Sequence, residues 1–591
     1  MVLSYFKART NKYIILLSLF TLSYFYIILF SGYFSDDAYS YQIKGYLKFT
    51  DRSLFGQTFK TIFGWCVGSG RLLIFSQYQH FLFYFIENLY LYKLLILILL
   101  LGNFYVLYLL LLKLLKTEKE AFIISCFSML SLQLREFHDA ILGFHGLMPF
   151  LGLFFLIQIY FLIIFFEIKK KIFLYYSLIF FLISQLMYEL SFLFYFFNII
   201  ILRIFLKNFK QTILFLKYHF FIFCLIFVIF AILQIRVYYF SQLKTPDYKI
   251  ISSSFELKIF FQAFIYQVVS GLPGAYFLSQ FKNINFDLQF VKYFLFYLFF
   301  FFLIQIHIFR TLDNKKTNSK VLINENKLNI LICGTIFFIA PSLLLVITPH
   351  SKEVLNAGFG FGYIFNFFSS FGLSFFGILI LSHFKRTGLK IIYTLILILA
   401  PLNSITNIQT VLNSNKIYKY PEIIISKAVK KGILNNLYDD DILIRQKRLA
   451  SDSVWNYIGK SNKSLIILNP DEVLENQSFK NKSKIITNNN NEYEEYDLKN
   501  KRVFILHYFF NDKGLNEGNF FFAKVDSLTK FKKNIISIDV KDLKFYEENR
   551  NRLIEIKLDQ SINFLKLVYD NDQNPKKYFE EINLKKYNIY K

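Results

Sequence analysis

Cysteine is scarce: Cys66, Cys126, Cys224 and Cys333 are far apart, and three of them lie inside apolar runs. They form neither a disulfide framework nor a zinc cluster, both of which need paired spacings. Charge is scarce too, at 18% of the residues. No internal repeat is visible, and no catalytic motif stands out in the C-terminal third. Gly358, Gly360 and Gly362 lack the flanking strand and helix of a phosphate-binding loop, so they are expected to mark a tight turn before the next helix. Lys7, Arg9 and Lys12 precede the apolar run Tyr13 to Phe30 as in a signal peptide, but no small-x-small cleavage site follows. A retained first helix is expected.

What the chain has is apolar sequence. Of its 591 residues 55% are hydrophobic, and they gather into runs of about twenty, the length that crosses a bilayer. The 77 Phe and 41 Tyr, with abundant Ile, Leu, Lys and Asn, match AT-rich coding, so no single aromatic is assigned a function. A net charge of +26 is what cytoplasmic loops and headgroup contacts require of a membrane protein, and no nucleic-acid partner is expected.

The runs predict spans at 13–30, 93–112, 120–134, 144–166, 172–188, 190–206, 218–235, 291–308, 328–347, 363–382 and 389–406. The expected fold class is therefore an all-α polytopic membrane bundle of about eleven transmembrane helices over 1–410, with a soluble α+β domain over 411–591. In that domain Asp441 to Ile458 predicts a helix; 464–470, 502–510, 519–525, 534–540, 552–558 and 562–569 predict strands. With the N-terminus in the cytoplasm, the loops 113–119, 167–171, 207–217, 309–327 and 383–388 are all basic, satisfying the positive-inside rule at every turn. The loops 31–92, 135–143, 236–290 and 348–362 then face outward, and so does the C-terminal domain.

The outer loops carry the candidate chemistry. Asp36 and Asp37 follow the first span by about six residues, where adjacent carboxylates are tolerable only if wet or paired. Such a pair can hold a divalent cation (Mg2+ or Mn2+), hold a sugar hydroxyl or act as general base; equally, it can be a solvated loop. The cluster Arg135-Glu136-Phe137-His138-Asp139 lies in the next outer loop, and Glu136 and Asp139 would share a face of a helical turn. A helix end with locally paired charges is the alternative. Glu189, in an apolar stretch, should be paired, face a cavity or mark the membrane surface. Leu72 to Leu91, which includes His80, reads as an interfacial helix, and Phe255 to Phe281 has the same character. Outer positive charge is sparse. Arg71, Arg236, His350 and Lys352 are candidate donors to a lipid phosphate.

The early acidic pair, the long first outer loop with its interfacial helix, the second acidic cluster and the Met187-Tyr188-Glu189 stretch together resemble the GT-C superfamily of polytopic membrane glycosyltransferases. The likeness covers mainly residues 13–400 and leans toward bacterial glucosyltransferase-like members that modify O-antigen (lipopolysaccharide) or other surface glycans. It implies that the family's first-loop acidic site maps to the catalytic candidates Asp36 and Asp37 and its second-loop acidic site to Glu136 or Asp139. Arg71, His350 and Lys352 have no family counterpart; with His80, His138, Glu189 and Arg236 they are expected substrate contacts from charge and topology. It also implies a polyprenyl-phosphate-linked sugar donor, a glycan, lipid or protein acceptor, and a place in the bacterial cytoplasmic membrane. A polysaccharide polymerase or ligase would look similar. A glycolipid flippase should carry charges at mid-membrane and an internal repeat, neither of which is visible.

Overall fold

The computed structural model describes residues 12–49, 51–136, 138–206, 209–240, 257–281, 288–310, 326–348 and 350–430, and the strands 442–445, 466–468, 503–510, 518–525, 543–548 and 551–556. The helices in chain order are α1 Lys12–Phe25, α2 Asp36–Ser40, α3 Ile43–Phe49, α4 Leu54–Gly68, α5 Tyr78–Phe85, α6 Leu89–Leu115, α7 Glu118–Met129 and α8 Leu147–Ile168. They continue with α9 Lys171–Gln185, α10 Phe192–Phe205, α11 Phe209–Phe240, α12 Leu257–Ser270, α13 Ala275–Gln280, α14 Leu288–Arg310, α15 Lys327–Val346, α16 Ser351–Ala357 and α17 Ser369–Lys430.

The chain divides into two compact units. The first comprises Met1–Ser31, Phe59–Tyr78 and Asn88–Leu412, and the second Gly32–Thr58, Gln79–Glu87 and Asn413–Lys591. The first unit is a membrane bundle. Among the described residues seven helices are long and apolar enough to cross a bilayer: Lys12–Phe30, Leu89–Leu115, Phe144–Ile168, Thr212–Tyr239, Lys327–Val346, Ile364–Phe384 and Thr387–Asn415.

The expectation of about eleven spans is thus corrected. The runs at 120–134, 172–188 and 190–206 do form helices, but α7, α9 and α10 have only 12, 15 and 14 residues. At 1.5 Å per residue none reaches across a hydrocarbon core of about 30 Å. Hydropathy alone reads such short apolar helices as spans, because protein packing and lipid both select apolar side chains. The run expected at 291–308 lies within α14, a helix of 23 residues.

Capping fixes where the long helices start and stop. Asn88 accepts from the N–H groups of Tyr90 (2.8 Å) and Leu91 (3.3 Å), opening α6. Lys116 (φ 60°) and Lys169 (φ 62°) close α6 and α8 in left-handed conformations, each donating its N–H back to the last turn. In the last turns of the same two helices Lys113 pairs with Glu167.

Inside the bundle, small residues let backbones approach, as membrane helices require in the absence of a hydrophobic driving force. A Cβ on Gly372 would lie 2.9 Å from the Gly334 carbonyl oxygen, and one on Gly152 2.8 Å from Asn103 Oδ1. Asn403 is fully buried and donates to Tyr24 Oη (2.9 Å) and the Leu130 carbonyl (3.0 Å), tying α17 to α1 and to the end of α7. The helical run α17 cannot be straight. Gly271 backs onto Ser369 and Gly274 onto Leu399, although a straight helix would hold those two residues about 45 Å apart. Gly388 packs against the Ile380 carbonyl, which places the reversal between the last two spans.

The second unit contains α2, α3, α5, the end of α17 and the strands β1 Ile442–Arg445, β2 Ile466–Leu468, β3 Val503–Phe510, β4 Gly518–Val525, β5 Leu543–Glu548 and β6 Asn551–Ile556. They form one sheet in the order β2-β1-β3-β4-β6-β5. β1 pairs in parallel with β2 and β3, and β3 and β4 pair antiparallel from Val503↔Val525 to Phe510↔Gly518. An α+β domain beginning at residue 411 is not found: α17 runs to Lys430, and past it no helix occurs among the described residues. The helix expected from Asp441 starts instead as β1, since Ile442, Leu443 and Ile444 form a short apolar run that pairs on both edges. Residues 446–458 and the strands expected at 534–540 and 562–569 lie outside the described residues.

Candidate functional site

Within the first unit, the connections at one end of the bundle fold onto one another. Three polar groupings result.

The first is an ion pair. After α4 the chain turns at Gly70 (φ 67°), with the Arg71 N–H donating to the Trp65 carbonyl (3.0 Å) and Gln234 of α11 donating to the Gly70 carbonyl (2.7 Å). Arg71 then reaches Glu189 through two parallel bonds, Nε to Oε1 and Nη2 to Oε2, both 2.8 Å. The guanidinium carbon lies 5.4 Å from the ring centres of both Trp65 and Tyr188. The side chains remain 20% and 19% exposed. Burial alone would raise the Glu189 carboxyl, but the charge and hydrogen bonds of Arg71 hold it below its usual value. The same pairing overcomes burial to keep Arg71 firmly protonated.

The second grouping is a backbone knot around Asp139, which is 1% exposed. Its Oδ2 accepts from the Arg135 N–H (2.6 Å), and its Oδ1 accepts from the N–H groups of Ile141 (2.7 Å) and Leu142 (2.5 Å). Both oxygens therefore shape the loop. Burial raises the Asp139 carboxyl against the pull of these donors and of Arg135. Burial likewise draws the Arg135 guanidinium down to about 10, with Asp139 opposing. Arg135 Nη2 donates to the Ser270 carbonyl (2.7 Å) at the end of α12. Gly362 lies so close to Arg135, Ser270 and Asn366 that no side chain fits there, and its φ of 65° suits glycine. Glu136 is half-buried, with its N–H donating to Tyr276 Oη (3.2 Å).

The third grouping is imidazole and carboxylate. Glu353 Oε2 lies 3.0 Å from His350 Nδ1 and 3.4 Å from His138 Nε2. Both imidazoles pack on Tyr363, at 4.4 Å for His138 and 5.2 Å for His350 between ring centres. His138 adopts φ 47°, uncommon for a residue with a side chain and held here by the Asp139 knot beside it. Burial keeps His138 below its usual value, opposed by Glu353. Glu353 is held low by hydrogen bonding from His350, against burial.

Aromatic contacts join these groupings: Tyr188 meets Phe365 at 6.0 Å, and Phe365 meets Tyr363 at 6.2 Å. The structure thus pairs Arg71 with Glu189 and gathers His138 and His350 on Glu353, with buried Phe365 and Tyr363 between the two groupings. Arg236, near the end of α11, and Lys352, on α16, are exposed. Asp36, Asp37 and His80 belong to the second unit. Asp37 is fully buried and Asp36 half-buried in the first turn of α2, so the pair is not a freely solvated loop. Nearby in that unit Tyr33 stacks on Tyr41 at 4.1 Å, and the Gly32 N–H donates to Asn415 Oδ1 (2.8 Å). His80 Nδ1 lies 3.2 Å from Thr58 Oγ1.

Sequence reasoning missed Glu353 and Tyr363. Glu353 carried a signal, because it follows His350 by three residues at a helix start; Tyr363 carried none among so many tyrosines. The expected Mg2+ or Mn2+ is also corrected. Among the described residues no group of three or more His, Cys, Asp or Glu is placed to hold a metal ion. The reason is geometric: Asp139 is occupied by backbone donors and Glu189 by Arg71, and adjacent helical residues such as Asp36 and Asp37 diverge by about 100°. No family model, curated protein or solved structure matches the chain.

Proposed function

We propose that this multi-pass membrane protein is a glycosyltransferase that moves a sugar from a polyprenyl-phosphate donor to a glycan, lipid or protein of the bacterial surface, O-antigen being one such acceptor. The reaction takes place on the outer side of the cytoplasmic membrane, with the N-terminus inside and the C-terminal region periplasmic or extracellular. One observation carries this reading: titratable side chains from separate connections are held in fixed geometry at a single end of the bundle, the end whose loops are poor in Lys and Arg.

The chemistry asked of the site is modest. The acceptor oxygen attacks the anomeric carbon as the bond from that carbon to the phosphate oxygen breaks, and the electron pair leaves with the phosphate. A carboxylate takes the acceptor proton, and the acids we assign to that role are Asp36, Asp37 and Glu136. Lys352 and Arg236 supply positive charge for the departing phosphate, and His138 and His350 serve it as hydrogen-bond donors. Native mass spectrometry after mild detergent extraction should find a polyprenyl phosphate retained by the protein. Its absence under several mild conditions, while ordinary phospholipids are retained, would count against the donor.

A further inference from the structure

We propose that Trp65, Arg71, Tyr188 and Glu189 form a saccharide-binding subsite that takes a pyranose ring; this rests on the transferase reading for its place in a reaction, not for its geometry. A pyranose presents two kinds of surface, an apolar face of C–H groups and a rim of hydroxyls. Aromatic rings serve the first, and charged planar groups serve the second with directional, charge-assisted bonds. The four residues supply both from two chain segments. The guanidinium of Arg71 is centred 5.4 Å from each ring, and its paired 2.8 Å bonds with Glu189 lock both groups before any ligand arrives.

Hydrogen-bonding capacity is left over. Arg71 has five N–H donors, of which two go to Glu189 and one to the Tyr188 hydroxyl, and the carboxylate has about four acceptor positions, of which Arg71 takes two and the Glu189 N–H a third. A pair serving only to fasten two loops gains nothing from an opening, yet about a fifth of each side chain stays exposed and both rings are part-exposed. Pairing also leaves the site without net charge. That suits a neutral sugar and disfavours a phosphate, so the leaving group is held elsewhere.

Trp65 and Trp455 are the two tryptophans of the chain, so a full-length Trp455→Phe protein reports on Trp65 alone by fluorescence. In nanodiscs it would be titrated with two probe sets. One is farnesyl phosphate carrying glucose, galactose, mannose or N-acetylglucosamine; the other is the free trisaccharides maltotriose, mannotriose and N-acetylchitotriose. A saturable change in Trp65 emission with at least one probe is expected. Response only to the lipid-linked set makes this the donor sugar's seat, and response to trisaccharides makes it the acceptor's. By calorimetry Trp65→Leu should weaken the responding probe about tenfold, as should Glu189→Gln, while Trp65→Tyr should retain binding. Should Trp65→Leu fail to accumulate, Tyr188→Leu carries the same comparison. No response to any probe, or affinity unchanged in both the leucine and the Glu189→Gln variants, overturns the subsite. Sugar transfer at wild-type KM and kcat by Trp65→Leu removes the subsite but leaves the transferase; saturable binding without transfer by the wild type does the reverse.

Discussion

Replacing Asp139 by alanine should destabilise the protein more than removing any other outer-loop acid. The carboxylate is 1% exposed and accepts three backbone N–H groups, from Arg135, Ile141 and Leu142. Each buried donor left without a partner costs about 1–3 kcal/mol, so Asp139→Ala should cost about 3–6 kcal/mol once partial relaxation of the loop is allowed. Asp139→Asn keeps the oxygen serving Ile141 and Leu142 but turns an amide nitrogen toward the Arg135 N–H, for a loss of about 1.5–3 kcal/mol. Cys126 and Cys333 are each 1% exposed, so a thiol-reactive fluorescent dye reads unfolding in detergent. The melting temperatures should rank wild type, Asn, Ala in descending order, with Glu136→Ala close to wild type. An alanine variant melting with the wild type would refute the reasoning, since the knot would then hold nothing.

The Arg71–Glu189 pair should be strongly coupled: Arg71→Met leaves a largely buried carboxylate uncompensated and should cost about 3–5 kcal/mol in the same dye assay, whereas Arg71→Met with Glu189→Leu should recover much of that loss. Additive losses would show that the two groups are not paired. Acid should loosen the imidazole–carboxylate group. His138 sits below its ordinary value of about 6.5, so the stability it contributes is intact above that pH and is lost as pH falls through its lowered folded value. Glu353 is also lowered, so its contribution is present above about 4.3 and is lost below that, as pH falls through its folded value. His138→Gln should flatten the upper part of that decline, and a pH profile identical to wild type would contradict it.

The legible parts of this fold were those written as long apolar runs. Leu89–Leu115 and Phe144–Ile168 stand out because nothing but lipid or a bundle accepts so many consecutive apolar residues. The short helices α7, α9 and α10 misled for the same reason: their composition matches a span and only their length differs, and length is set by turns such as Ser131–Leu134 that carry no strong breaker. At the site, rare charges in apolar surroundings were informative to this extent: Arg71 and Glu189 meet in one ion pair, and His138 and His350 share Glu353. Their partnerships were not legible, because Arg71 and Glu189 are separated by more than a hundred residues and nothing local announces the pairing. The Asp139 knot was equally hidden, since a carboxylate facing backbone donors looks like any other acid in sequence.

Transfer itself can be measured with purified protein in liposomes, supplied with a radiolabelled polyprenyl-phosphate sugar and an extract of surface glycolipid acceptor. Wild-type protein should move label to the acceptor, and Asp36→Asn or Asp37→Asn should lower the rate about 10²- to 10⁴-fold, the worth of a general base. Because Asp37 is fully buried, each variant should first be matched to wild type in melting temperature, with half-buried Asp36 the safer substitution. Label transferred at the wild-type rate by folded Asp36→Asn, Asp37→Asn and the double variant would place the base elsewhere. No transfer by wild-type protein from any of a panel of polyprenyl-phosphate hexoses, with native extract as acceptor, would contradict the glycosyltransferase reading outright.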